Sequence, residues 1–337
     1  MNRSSPGSSK RDASLSISKS IDGFLKFKTA EGLSQRTIDS YEYTLNHWLK
    51  YIGDRSVSEI QASDLTDYMA WLRTEYQPVR FNGSREPMSA KSIRNVWVTF
   101  RSFFGWLHME FTFANPAAEI KAPKFQQHPV ETFTKEDLEK ILKACVLTRE
   151  SKTEERKKFV MRRPSAYRDQ AIVLVLLDTG LRATELCSLT INDVDLKTGK
   201  VVIRHGVAGG AKGGKGRTVY LGKTSRKAVW RYLAGREDGD DPRAPLFISH
   251  ADRPFNKNSL RVLINRLGAR ANVKKVYPHK FRHTFAITYL RSGGDVFTLQ
   301  SLLGHGSLDM VRHYAQIADI DVEQAHRKAS PADNMHL

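Results

Sequence analysis

The chain has 337 residues, 40 % of them hydrophobic and 9 % aromatic, and carries 54 basic against 36 acidic side chains for a formal net charge of +18. This length fits two or three domains with sizeable cores, and this composition excludes wholesale disorder. The longest unbroken aliphatic run, residues 171–177, is far short of the roughly 20 residues that span a bilayer.

The first residues, MNRSSPGSSKRD, lack the apolar core of a signal peptide. Two cysteines, Cys145 and Cys187, exclude a disulfide framework and a four-ligand zinc site built on them. The expectation is a reduced, cytoplasmic protein with both thiols buried. Charge is concentrated toward the C-terminus: residues 1–130 hold 17 basic and 13 acidic side chains, residues 131–337 hold 37 and 23. Such an excess points to a polyanionic partner, most often nucleic acid.

Residues 1–13 read as a disordered basic tail. From residue 14 to residue 124 the pattern is helical. Ile17, Ile21, Phe24 and Leu25 form one apolar stripe; Ile38, Tyr41, Leu45, Trp48 and Ile52 form the next, after a capping Ser34. Ser63-Asp64 opens a third helix, and Ser89 opens a long fourth one carrying Val96, Phe100, Phe103, Phe104 and Leu107. These aromatics fall on helical stripes, so they read as core rather than as base-stacking platforms. Three prolines between Ala114 and Pro129 predict an extended connection, with 125–130 as the linker.

A second domain spans 131–320. Thr134 and Asp137 resemble a capping box. The segment 149–168 holds eight basic and three acidic residues and reads as mobile or DNA-facing. Asp169 to Leu177 is apolar on nearly every side, which predicts a buried helix, with Gly180 ending it. Lys200-VVIRH and Arg217-TVYL are β-branched runs around a Gly-rich turn and predict a hairpin. Further helices start near Thr224, Asn258, Pro278, Asp295, Ser307 and Asp319. The fold class expected is mainly α with a small antiparallel sheet.

The residues that carry chemistry are scattered along this domain. Arg182 follows the end of the buried helix in TGLRATEL. Pro278 opens a helix on which His279 and Arg282, three apart, share a face. His305 lies between two glycines, and Tyr314 follows nine residues later. Together with the hairpin AKGGKGRTVYL, the segments HKFRHTFAI and LLGHGSLDMVRHYAQI make the chain resemble the tyrosine recombinase family, the phage integrases and their Xer-like relatives. The resemblance covers residues 14–329 and includes a helical, SAM-like core-binding domain at 14–124.

The resemblance implies an enzyme that cleaves and rejoins DNA. Tyr314 would attack a phosphodiester to give a 3′-phosphotyrosine and a free 5′-hydroxyl. Arg182, Arg282 and His305 would neutralise the phosphate as charge builds on it. His279 would accept or shuttle the tyrosine proton, and Lys212 would protonate the departing oxygen, with Lys215 as its competitor. Glu185 either buttresses the arginines or is a surface helix carboxylate. Bond energy kept in the covalent link makes ATP unnecessary, and the cations replace a metal, so no cofactor is implied. The implied partners are double-stranded DNA with inverted-repeat core sites, three further copies of the chain at synapsis through a Holliday junction, and, in some systems, accessory DNA-bending proteins. The helix and tail at 321–337 would dock on a neighbouring protomer or pack on their own domain. No membrane partner is implied, and the site of action would be the cytoplasmic nucleoid.

Other readings are weaker. Gly209 to Lys215 spells a P-loop-like pattern, but Gly216 stands where Ser or Thr would hold magnesium, and the segment joins two strands. His279 and His283 have metal-ligand spacing without a third ligand nearby. A type IB topoisomerase would show Lys-x-x-Arg where this chain has His279 and Arg282. A catalytically silent DNA-binding factor would be expected to have lost part of the set.

Overall fold

The computed structural model describes residues 15–79, 83–125, 130–148, 160–204, 216–249, 253–304, 314–315, 326 and 330–335. The chain divides into two compact units, Met1–His128 and Pro129–Leu337.

The first unit is helical: α1 (Ile17–Ala30), α2 (Gln35–Ile52), α3 (Ala62–Thr74), α4 (Ala90–Phe111) and a short α5 (Pro116–Glu119). Phe24, Leu45, Trp48, Leu65, Phe100, Phe103 and Phe104 are fully buried, one stripe from each long helix. Trp48 meets Phe100 edge-on at 5.2 Å and Phe104 at 5.8 Å, the geometry that the ring quadrupoles favour. The aromatics are therefore core, as their periodicity implies.

Three local expectations change. Helix α3 starts earlier than Ser63, because the backbone N–H of Gln61 donates to Asp64 Oδ2 at 2.8 Å and closes a capping box. Ser34 holds the N-cap position of α2, but its hydroxyl pairs with Thr37 Oγ1 at 2.9 Å instead of capping the backbone. The proline-rich connection is not wholly extended. Pro116 takes the first helical position, where its missing N–H costs nothing, and Asn115 Oδ1 accepts from Ala118 N–H at 3.2 Å. Trp97 Nε1 then donates to Ile120 O at 3.0 Å and fastens the segment along α4.

The second unit contains α6 (Lys135–Val146), α7 (Ala166–Thr179), α8 (Ala183–Ser188), β1 (Lys200–Ile203), β2 (Arg217–Tyr220), α9 (Lys223–Leu233), α10 (Lys257–Ala271), α11 (Pro278–Arg291), α12 (Val296–Leu303) and α13 (Pro331–Asn334). The strands pair antiparallel, with Lys200 opposite Tyr220 and Ile203 opposite Arg217. Helix α7 lies at the centre, packed by α6, α9 and α11, with Ala171, Ile172, Val173 and Leu176 fully buried. A smaller apolar cluster joins α11 to α12 and includes Ala286, Ile287, Leu290, Leu299, Leu303 and Tyr314.

The basic segment before α7 is not all outward-facing. Residues 149–159 lie outside the described residues, but Arg163 and Arg168 turn inward. Arg163 Nη1 reaches Asp169 Oδ2 at 2.8 Å, and Arg168 donates to Asp169 Oδ1 at 3.0 and 2.9 Å. Asp169 is fully buried, and a buried carboxylate needs such partners. Cys145 is buried as expected, whereas Cys187 is only partly covered. Among the described residues no helix is long and apolar enough to cross a membrane.

Candidate active site

The site starts at the end of α7. Gly180 caps the helix in the left-handed region, at φ 60° and ψ 24°. A Cβ there would stand 2.5 Å from Phe285 Cδ1, so both backbone and packing call for glycine. The turn delivers Arg182 to the N-cap of α8. Its backbone N–H donates to Glu185 Oε2 and its Nη1 to Glu185 Oε1, both at 2.8 Å. Its Nη2 reaches Gly304 O at 3.3 Å.

Glu185 is fully buried. Arg217, at the start of β2, grips it with both terminal nitrogens, at 2.8 and 2.7 Å, and donates its Nε to Leu302 O at 2.7 Å. Burial alone would raise the Glu185 pKa; the hydrogen bonds and charge of Arg217, followed by those of Arg182, outweigh it and bring it down to about 2. The carboxylate is thus a clamp between two guanidinium groups, not a surface charge.

Arg282 projects from the first turns of α11 and is 1 % exposed. Its Nη1 donates to Gly180 O at 2.8 Å and its Nη2 to Leu303 O at 2.7 Å. Burial, then the charge of Arg182, pull its pKa down to about 9, which still leaves it charged at neutral pH. Arg282 is therefore held by carbonyls at the ends of both α7 and α12, and Arg182 by a carbonyl at the end of α12. Burial and the two guanidinium groups of Arg282 and Arg182 lower the His279 pKa, so its neutral form is favoured.

One turn beyond His279, His283 Nδ1 lies 2.7 Å from the hydroxyl of Tyr314. The two imidazoles meet edge-on, with centroids 4.4 Å apart. Tyr314 is fully buried. Burial raises its pKa, and Arg282 opposes that shift.

Of the residues expected from sequence, Arg182, Glu185, His279, Arg282 and Tyr314 come together here. Lys212, its competitor Lys215, and His305 lie outside the described residues, as do His313 and most of the tail 321–337. Two residues were not anticipated. Arg217 shares a strand face with inward Val219, a period-two signal that placed it toward the core. In sequence, His283 stands out only for its metal-ligand spacing from His279; its Nδ1 instead faces the phenol. Among the described residues no group of three His, Cys, Asp or Glu side chains is placed to hold a metal ion.

Residues 131–320 match the phage integrase family, and residues 21–110 match the phage integrase N-terminal SAM-like domain. The chain belongs to the phage integrase family. This integrase is 30 % identical over 312 residues to tyrosine recombinase XerA of Thermococcus kodakarensis, covering 92 % of this chain and 94 % of that one. It is 28 % identical over 324 residues to tyrosine recombinase XerD of Listeria monocytogenes serotype 4b, covering 92 % and 98 %. In fold the integrase is similar to the Tn1549 transposon integrase in complex with transposon right end DNA, with a TM-score of 0.68 at 18 % identity over 89 % of this chain and 94 % of that one. It is a tyrosine recombinase of the Xer type, an enzyme of site-specific DNA recombination, and neither the topoisomerase nor the silent-factor reading is favoured.

Proposed function

We propose that the chain exchanges strands between double-stranded DNA core sites built of inverted repeats, by attack of Tyr314 on a phosphodiester and passage through a Holliday junction. The observation that carries the reading is the joint anchoring of Arg182 and Arg282 on the carbonyls of Gly180, Leu303 and Gly304, with Tyr314 close enough for the charge of Arg282 to act on its phenol. A phosphodiester is an anion and resists an anionic nucleophile. Fixed guanidinium groups offset that repulsion and gain strength as charge accumulates on the phosphoryl oxygens.

In this reading Arg182, Arg282 and His305 hold the phosphate. Tyr314 forms the 3′-phosphotyrosine, Lys212 gives its proton to the 5′ oxygen, and His279 helps to shuttle the tyrosine proton. Glu185 positions the arginines, with Arg217 completing the clamp. The covalent ester conserves the bond energy, so neither ATP nor a metal ion is needed. Four copies act together at synapsis, joined through the segment 321–337, with DNA-bending proteins as auxiliary partners where the site demands them. The net charge of +18 supplies a salt-sensitive grip on the backbone of DNA in the nucleoid.

The test is strand exchange between two labelled duplexes carrying sites from the chain's own genetic element. Recombinant strands and a branched intermediate are expected. Relaxation of a supercoiled plasmid without exchanged strands would overturn the reading in favour of a topoisomerase.

A further inference from the structure

We propose that His283 is the catalytic group that takes the Tyr314 proton during strand cleavage, with His279 behind it. The inference rests on the strand-cleavage reading above and names the group that activates the nucleophile.

Three observations carry it. His283 Nδ1 is 2.7 Å from the phenol oxygen, a direct hydrogen bond to the atom that must attack. His279 is placed differently: its ring lies edge-on to His283, 4.4 Å between centroids, and feels the charge of Arg282 and Arg182. The phenol itself is fully buried and its ionisation is suppressed by that burial. A buried tyrosine of this kind is a poor nucleophile without an adjacent base, and His283 is the imidazole within reach among the described residues.

The helix explains why the arrangement is stiff. His283 is the neighbour of Arg282 on α11, and Arg282 is anchored at both ends of its guanidinium by backbone carbonyls. One rigid element therefore carries the base and the cation that favours the phenolate.

The Tyr314 O–H bond breaks and its proton goes to His283 Nδ1, giving an imidazolium; the tautomer required beforehand has its proton on Nε2. The phenol oxygen forms the new bond to phosphorus. The bond from phosphorus to the 5′ oxygen breaks, and that oxygen takes its electron pair and a proton from Lys212. In rejoining, His283 returns its proton to the departing tyrosine oxygen.

The experiment is single-turnover cleavage of a nicked duplex by the full chain, comparing wild type, His283→Asn and His279→Asn. Each is made with Tyr314 and with 3,5-difluorotyrosine at position 314, whose phenol ionises near neutral pH. Asparagine keeps a hydrogen-bonding amide near the place of Nδ1 but cannot act as a base. With tyrosine, His283→Asn is expected to slow cleavage roughly 100-fold or more, the usual worth of a general base. With the fluorinated nucleophile most of that loss disappears, while DNA affinity and melting temperature stay at wild-type values. An equal loss with both nucleophiles would show a structural role and overturn the proposal. So would a negligible loss, or a larger fluorotyrosine-suppressed loss in His279→Asn. Wild type failing to cleave would overturn the strand-cleavage reading itself, and this assignment with it.

Discussion

Replacing Glu185 with glutamine removes the charge from the clamp while keeping its shape. Glu185 is fully buried, the Arg217 side chain beside it is 8 % exposed and that of Arg182 is 30 % exposed. The carboxyl pKa falls from 4.5 to about 2 in the folded chain. A depressed pKa of this kind contributes stability that is complete above 4.5 and is lost as pH falls toward 2. That difference corresponds to roughly 3 kcal/mol at pH 7. At pH 3.5 the same relation leaves about 2 kcal/mol. Wild type should therefore exceed Glu185→Gln by roughly 3 kcal/mol at pH 7, with the gap narrowing by about 1 kcal/mol at pH 3.5. Because the chain has two units, urea unfolding is best read by hydrogen exchange in peptides covering residues 166–188, which report this unit alone. A gap well under 1 kcal/mol at pH 7, or one that stays constant over this range, would refute the reasoning.

Gly180→Ala forces an alanine to φ 60° and drives its Cβ toward Phe285; the backbone alone should cost about 1–2 kcal/mol, seen as a lower melting temperature with a reduced cleavage rate. Arg217→Lys keeps the charge but loses the two-pronged grip on Glu185, so cleavage should slow about tenfold while DNA affinity, measured by titration, is unchanged. Asp169→Asn leaves the buried Arg168 and the partly covered Arg163 against a neutral amide and should cost about 3–5 kcal/mol in denaturant unfolding without altering the site's chemistry. DNA affinity should fall linearly on a log–log plot against salt, with a slope of about −0.9 per phosphate contacted; a flat plot would argue against phosphate binding.

Much of the architecture was readable from the chain because strong local rules agreed with the packing. The stripes carrying Phe24, Trp48 and Phe103 repeat at helical spacing and all three are buried. Gly180 marks the end of α7 because its position needs a left-handed residue. Element starts were less legible: Gln61 is not a common cap, and only its bond with Asp64 reveals the boundary of α3. Pro116 predicts a break in general but a helix start when an Asn precedes it. In the site, the arginines and the tyrosine stand out in local motifs, and Arg182 and Arg282 meet because the end of α12 presents carbonyls to both. The partnership of Glu185 with Arg217 joins residues 32 apart in sequence, and that of His283 with Tyr314 joins residues 31 apart. Pairings of that kind depend on how helices pack, which no local period encodes. The basic run at 149–168 misleads for a different reason: Arg163 and Arg168 pair with a near neighbour, Asp169, and a charge count does not show that this carboxylate is buried.

Every residue role proposed above depends on attack of Tyr314 on DNA. The most direct measurement incubates the chain, or Tyr314→Phe, with a duplex nicked beside the crossover site, in EDTA and without ATP. A covalent protein–DNA band is expected with wild type alone, and its digest should yield a nucleotide-bearing peptide that contains Tyr314. A band that persists with Tyr314→Phe, or no band on DNA that the wild-type chain demonstrably binds, would contradict it.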